Sequence, residues 1–253
     1  MDLQVSFGSR TFEASGLFFD KDGTLVDFHH QYATLMEKRC ELILSHCEGD
    51  GEILRKAIGL AVGYDPETRE ISPFGPLAIG TRSETISAVA EVLTQYGMPR
   101  EKAHDMVFRA FLQADQELKI EQLVRPVDGL VSVLSSLRES GLILACLTND
   151  DRRRAQAVLN CLGVSSYFDL VLSADEVTHP KPDPEMFQKA CHRLDLHPWH
   201  IAFIGDTVAD MAMAKKGGAG LAVGVLGGAS DRSLLSQEAE VVIDSLEAIS
   251  VAA

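Results

Sequence analysis

Short apolar runs alternate with amphipathic stretches through the second half of the chain, as expected of a parallel sheet flanked by helices. The runs are 142–147, 169–172, 201–204, 220–225 and 240–243. Between them, helices are predicted over 152–162, closed by Gly163, over 184–195, opened by Pro184, and over 207–216, closed by Gly217 and Gly218. One comparable run lies far upstream, at 16–19, and it stops at Asp20 ahead of a Gly-containing turn. Before it, Gly8-Ser9 sits between 3–6 and 11–14, where the turn of a hairpin would be.

A different period fills the space between 16–19 and 142–147. Residues 30–47, 51–62, 83–96 and 99–118 carry apolar positions three and four apart, which predicts helices. Thr81 and Glu84 are spaced as a capping box ahead of the third, and Pro99 suits the first turn of the fourth. Segment 65–80, with three prolines, reads as an ordered loop. The chain is therefore expected to fold as an α/β core over 1–26 and 124–253, with an all-helical insert over 27–123. No repeat or low-complexity tract interrupts it.

Charge narrows the function. Lys and Arg number 23 against 37 Asp and Glu, a formal net charge of −14, which disfavours nucleic acid as a partner because phosphate backbones attract basic surfaces. With 46% hydrophobic and 24% charged residues the chain reads as globular. Its start lacks the basic-then-apolar order of a secretory signal, and no run approaches the roughly 18 apolar residues of a membrane span. Five cysteines, Cys40, Cys47, Cys146, Cys161 and Cys191, include no C-x-x-C pair. They read as reduced, mostly buried thiols of a cytoplasmic protein.

Open α/β sheets place ligands beyond the carboxyl ends of their strands, near the point where strand order reverses. The residues that end the apolar runs are thus the candidates. They are Asp20-Lys21-Asp22-Gly23-Thr24, Thr148-Asn149-Asp150 and Gly205-Asp206-Thr207-Val208-Ala209-Asp210, with His179-Pro180-Lys181-Pro182-Asp183-Pro184 between the third and fourth runs. Asp20 and Asp22, two apart in a tight turn, can set one carboxylate on each side of a small reacting group, one as nucleophile and one as proton donor and acceptor. Gly23 lets the backbone turn closely, with amides able to face an anion. Several carboxylates cannot face a phosphate unaided, so the set implies a divalent, oxygen-preferring cation, magnesium before others, on Asp20 and Asp206. Asp210, one helical turn past Asp206, could hold a metal-bound water or orient Lys181, whose ammonium supplies positive charge. Taken singly these residues have ordinary readings: a solvated D-x-D loop, a helix N-cap at Thr148 and a surface lysine. Their joint occurrence at the strand ends of one domain is what changes the odds.

Phe18-Phe19-Asp20-Lys21-Asp22-Gly23-Thr24-Leu25-Val26 resembles the first motif of the haloacid dehalogenase superfamily in its phosphatase form. Leu147-Thr148-Asn149 resembles the second motif, Lys181-Pro182-Asp183-Pro184 the third, and Ile204-Gly205-Asp206 through Asp210 the fourth. The resemblance covers 16–26 and 126–244, and within the family the likeness is to phosphoglycolate phosphatase-like enzymes. It implies a Rossmann-like three-layer core whose parallel sheet runs 220–225, 201–204, 16–19, 142–147, 169–172, with a sixth strand near 240–243. It also implies that the insert is an α-helical cap of type C1.

The same resemblance implies roles. Asp20 would attack phosphorus and form an aspartyl-phosphate, while Asp22 would protonate the departing alcohol and then activate water. Thr148 and the Asn149 amide would hydrogen-bond the phosphoryl oxygens, in a pocket shared with Gly23, Thr24 and Lys181, and Lys181 would stabilise the charge around Asp20. Magnesium would bind Asp20, the main-chain carbonyl of Asp22, and Asp206, with Asp210 close by. The implied substrate is a small phosphorylated metabolite. The alternatives are a phosphomutase using the same intermediate or, from another class, a non-catalytic phospho-aspartate switch, against which the D-x-D-G-T turn and the long insert both argue. Arg152, Arg153 and Arg154 read as a solvated helix face rather than an anion trap. His29 and His30 read as surface residues before cleft-lining ones, and Arg82, at the start of a helix after the irregular loop, could grip a carboxylate on the substrate.

Overall fold

Strands β1 (Leu3–Phe7) and β2 (Arg10–Ala14) form the expected antiparallel hairpin, Leu3 opposite Ala14 and Phe7 opposite Arg10. Gly8 takes the first turn position at φ 62°, the positive value that a type II′ turn needs there. These details come from a computed structural model that describes residues 2–47 and 49–251. Of the expected core, Met1, Ala252 and Ala253 lie outside the described residues, as does Glu48 of the expected insert.

The larger sheet contains β3 (Gly16–Phe19), β4 (Ile143–Thr148), β5 (Leu170–Ser173), β6 (Ile201–Gly205), β7 (Leu221–Val225) and β8 (Val241–Ile243). Their order is β5-β4-β3-β6-β7-β8, and every pairing is parallel. That is the order implied by the family resemblance. It reverses at β3, which pairs with β4 on one side and β6 on the other, so Phe19 faces Cys146 and Ile204 in register. A ligand site is therefore expected beyond the carboxyl ends of these three strands. A further strand, β9 (Ile249–Val251), pairs with β1 and completes a separate antiparallel sheet, β2-β1-β9.

The chain divides into two units, Met1–Phe28 with Val124–Ala253, and His29–Leu123. The second is helical: α1 (Phe28–Leu44, beginning one residue earlier), α2 (Gly51–Val62), α3 (Pro76–Ile79), α4 (Arg82–Gln95), α5 (Arg100–Glu117) and α6 (Ile120–Leu123). Asp50 caps α2 through its side chain, and Thr81 and Glu84 make the expected capping box on α4. Segment 65–80 is ordered by a bridge between Tyr64 and Ile71 and by the single turn of α3. Inside this unit Arg39 lies 4.0 Å over the ring of Phe111, and Asp115 pairs with Arg82 at 2.6 Å and Arg39 at 3.6 Å.

In the core unit, α7 (Leu130–Glu139), α8 (Arg152–Cys161), α9 (Glu185–Leu194), α10 (Val208–Gly217) and α11 (Arg232–Leu235) flank the sheet strands in the sequence. The predicted helices of both units lie within three residues of the observed ends. Helix α7 is an addition to the prediction, though Leu130, Val133, Leu134 and Leu137 are buried at helical spacing. Phe18, Phe187 and Phe203 pack at the heart of the core, with ring centroids 5.5 and 6.3 Å apart along that series. All five cysteines are free thiols, with Cys40, Cys146 and Cys191 buried. Among the described residues no helix is long and apolar enough to cross a membrane.

Candidate active site

Asp20 directly follows β3, and its amide donates to the carbonyl of Ile204 at 2.8 Å, which carries the sheet ladder one residue beyond the strand. The chain then folds back at once. Leu25 and Val26 donate to the Lys21 carbonyl, and Gly23 at φ 87° donates to Val26 at 2.9 Å. A side chain on Gly23 would be strained by that φ, and its Cβ would fall 2.2 Å from Asp206 Oδ2. Glycine is required here on both counts.

Lys181 reaches the same point from the loop after β5. Its Nζ donates to Asp20 Oδ1 at 2.5 Å and to Asp210 Oδ1 at 2.7 Å, and it lies 5.3 Å from the centroid of the Phe203 ring beneath. Its backbone is clamped by Asn149, whose Oδ1 accepts from the Lys181 amide at 3.0 Å and whose Nδ2 donates to the Lys181 carbonyl at 3.2 Å. Nearby, Glu185 accepts from the amides of Thr178 and His179, both at 2.8 Å, tying down the loop that carries the lysine. Asp210 is fixed in turn: its Oδ2 accepts from the Thr207 amide at 3.1 Å and hydroxyl at 2.6 Å, in a capping box that starts α10. Asp210 thus orients Lys181 as well as sitting beside the other carboxylates.

Asp206, at the end of β6 in the sheet centre, is fully buried. Its Oδ2 accepts from the Ala229 amide at 2.7 Å, whereas its Oδ1 is buried without a hydrogen-bond partner. One oxygen each from Asp20, Asp206 and Asp210 lie within 4.8 Å of one another. Burial raises Asp20, Lys181 pulls it down and the charges of Asp210 and Asp22 push it up again, leaving it at about 7. Asp206 is also raised well above the usual carboxylate range, by burial first and then by Asp20 and Asp210. Burial works against the Lys181 ammonium, but Asp20 and Asp210 outweigh it and its pKa rises. Three buried carboxylates around one ammonium, with an orphaned oxygen, are the donor set that a hard divalent cation takes. Asp20, Asp206 and Asp210 therefore fit magnesium.

Thr148 ends β4, buried, and its hydroxyl accepts from the Asp150 amide at 3.1 Å. The N-cap of α8 is Asp151, not Thr148. Thr24 is buried beside the Asp20 turn with its hydroxyl unpartnered. Asp22 is part-buried, with Oδ1 held by Lys21 Nζ at 2.5 Å. Lys21 is itself fully buried and also meets Asp150 at 3.4 Å, and Asp150 pairs with Arg154 at 3.0 Å. Burial opposes the Lys21 charge, yet Asp22 and Asp150 raise its pKa overall.

This network corrects the reading of the arginine run. Arg152 lies on the surface with Glu176, and Arg153 is exposed, but Arg154 is only 12% exposed at its side chain. One helical face points outward while position 154 turns back to the sheet. Of the other candidates, His29 is exposed, His30 is half-buried, and Arg82 is engaged by Asp115. The contributions of Lys21, Asp150, Arg154 and the loop at 228–229 were absent from the sequence reading. The loop alone carries a signal, Gly227-Gly228 following a strand.

The profile of the haloacid dehalogenase-like hydrolases matches residues 14–218. Among curated proteins, the chain is 33% identical to a protein named Probable phosphatase IndB, from Dickeya dadantii strain 3937, across 92% of this chain and 90% of that one. It is 33% identical to a plasmid-encoded phosphoglycolate phosphatase of Cupriavidus necator over 48% of this chain and 52% of that one. Among solved structures, a predicted phosphoglycolate phosphatase from Haemophilus somnus 129Pt shares the fold with a TM-score of 0.72 and 19% identity, across 92% of this chain and 95% of that one.

Proposed function

Because the chain belongs to the haloacid dehalogenase-like hydrolases, with phosphatases among its relatives, we propose that it is a magnesium-dependent phosphatase of a small phosphomonoester, phosphoglycolate or a molecule like it. The observation that carries this reading is Lys181, whose ammonium spans Asp20 and Asp210 beside the unpartnered oxygen of Asp206. A nucleophile, a cation-binding set and a charge clamp from distant parts of the chain converge at one strand-end site.

Asp20 attacks phosphorus in line: its carboxylate oxygen forms a bond to phosphorus as the bond to the substrate's bridging oxygen breaks. Asp22 gives that oxygen its proton, so the alcohol departs neutral. Water then enters, Asp22 takes its proton, and the phosphorus–Asp20 bond breaks to release phosphate and restore the carboxylate. Lys21 holds the Asp22 carboxylate in place for both transfers. Thr148 has accepted one hydrogen bond and keeps its own O–H to donate to a phosphoryl oxygen, alongside the Asn149 amide and the turn at Gly23 and Thr24. Lys181 stays charged throughout and neutralises the oxygens gathered at Asp20. Magnesium, held by Asp20, the Asp22 carbonyl and Asp206 with Asp210 adjacent, would offset phosphoryl charge and fix the attack angle. The insert acts as the cap that selects the substrate, and the free thiols suit a cytoplasmic location.

The test is turnover of p-nitrophenyl phosphate and phosphoglycolate with magnesium. Asp20→Asn is expected to lower kcat by at least about 10³-fold, the loss of the covalent route. Wild-type rates in that variant would remove Asp20 as nucleophile. Supplied with a hexose phosphate instead, an isomerised sugar phosphate without net phosphate release would identify a phosphomutase.

A further inference from the structure

We infer that the loop following β7, residues 226–230, is a working part of the cation site, with Gly228 and the Ala229 amide acting as positioning groups for Asp206. This rests on the magnesium reading above. The loop enters through contact with one carboxylate. The Ala229 N–H donates to Asp206 Oδ2 at 2.7 Å, while Oδ1 of the same group is buried and unpartnered. One face of the carboxylate is thereby satisfied by the protein and the other presented.

Steric evidence shows how closely the loop is fitted to that role. A Cβ built on Gly228 would lie 2.0 Å from Asp206 Oδ2 and 2.5 Å from its Cβ. A Cβ on Gly23, from the turn after β3, would lie 2.2 Å from that same oxygen and 2.9 Å from the Gly228 Cα. The two glycine backbones thus meet over Asp206 Oδ2 and leave no room for it to swing. Gly227 differs: it has φ 103° with open space where its side chain would be, so its glycine serves the turn of the backbone. At Gly228 the demand comes from contact alone, and the contact is with a proposed metal ligand. Groups that hold a ligand from behind commonly change metal affinity by about 10–100-fold when altered, because they set the ligand's rotamer before the ion arrives.

The test needs no assay of turnover. In the wild-type protein, magnesium should slow hydrogen exchange in a peptide spanning 226–230, together with peptides containing Asp20 and Asp206. Calorimetric titration should show Gly228→Ala binding magnesium at least about tenfold more weakly than wild type. Protection at Asp20 and Asp206 without protection at 226–230 would overturn the inference, as would a folded Gly228→Ala with wild-type affinity. If Gly228→Ala does not fold, the exchange result on the wild type decides alone. A wild-type protein with neither heat nor protection anywhere would overturn the magnesium reading itself.

Discussion

Two buried lysines sit at this strand-end rim, and their surroundings differ in a way that separates a cation site from the support beside it that holds Asp22. Lys21 and Arg154 stand against Asp22 and Asp150, one cation for each carboxyl group. Lys181 stands against three, Asp20, Asp206 and Asp210. The first network matches a cation to each carboxyl group and ties the turn after β3, with Asp22 on it, to the start of α8. The second is short of positive charge, holds two carboxyls raised by burial, and leaves an oxygen unpartnered. Burial of charge is common to both. Imbalance marks the one that calls for a cation and for an anionic substrate's neutralising partner.

Replacing each lysine with methionine, similar in length and uncharged, puts the contrast to its hardest test. Lys181→Met is expected to lower kcat by about 10²–10³-fold, the usual loss for a preorganised charge at the reacting centre. Its folding cost should be largely recovered by magnesium, since the cation supplies the charge that the ammonium did. Lys21→Met should slow turnover too, by releasing Asp22, and should cost about 3 kcal/mol of stability, the penalty for leaving buried carboxylates without their partner. Magnesium should recover little of that. Denaturant unfolding with magnesium and with EDTA checks both, and equal rescue of the two variants would erase the distinction.

The imbalance also sets a pH dependence for the metal-free protein. Asp20 titrates at about 7 in the fold against 3.8 for an ordinary aspartate, so between those limits the folded state holds a proton that the unfolded chain has released. Its contribution to stability is therefore complete below about pH 4 and is lost as pH rises through about 7, with Asp206 adding in the same direction. Melting temperatures in EDTA should fall across this window, and magnesium should flatten the slope because it favours the ionised carboxylates. A magnesium-independent slope would mean that these groups do not hold the ion.

What the chain's pattern reveals about this site, and what it hides, follows from the same physics. Asp20, Thr148 and Asp206 were legible because each lies at or just beyond the end of an apolar run, where a buried strand must stop. Lys181 was legible from its prolines and its place between runs. Lys21 was not, since a lysine between two aspartates looks solvated until the turn buries it against Asp22 and Asp150. Gly228 reads only as a turn residue, because the carboxylate it touches is 22 positions away. Strand β9 is three residues long and acquires its identity from β1 at the other end of the chain. Helix α7 had the right spacing, with Leu130, Val133, Leu134 and Leu137 buried.

The smallest effect separates neighbours within the arginine run. Arg152 and Arg154 share a helix and a charge, and only their direction differs. Arg152, 62% exposed at its side chain, pairs with a Glu176 that Arg193 and Ser173 also engage, so screening and side-chain entropy on its side and the remaining partners leave the pair little net value. Arg154, 12% exposed, meets Asp150, which also faces Lys21. Arg152→Ala should change stability by less than about 0.5 kcal/mol. Arg154→Ala should cost about 1–2 kcal/mol, more than a surface pair and less than Lys21→Met, because Asp150 would keep one cationic neighbour. In the double variant Lys21→Met/Arg154→Ala that neighbour is gone, so the combined loss should exceed the sum of the two single losses. Simple additivity in denaturant unfolding would show that the two cations do not share the Asp150 charge, and the balanced network would then have to be divided into separate pairs.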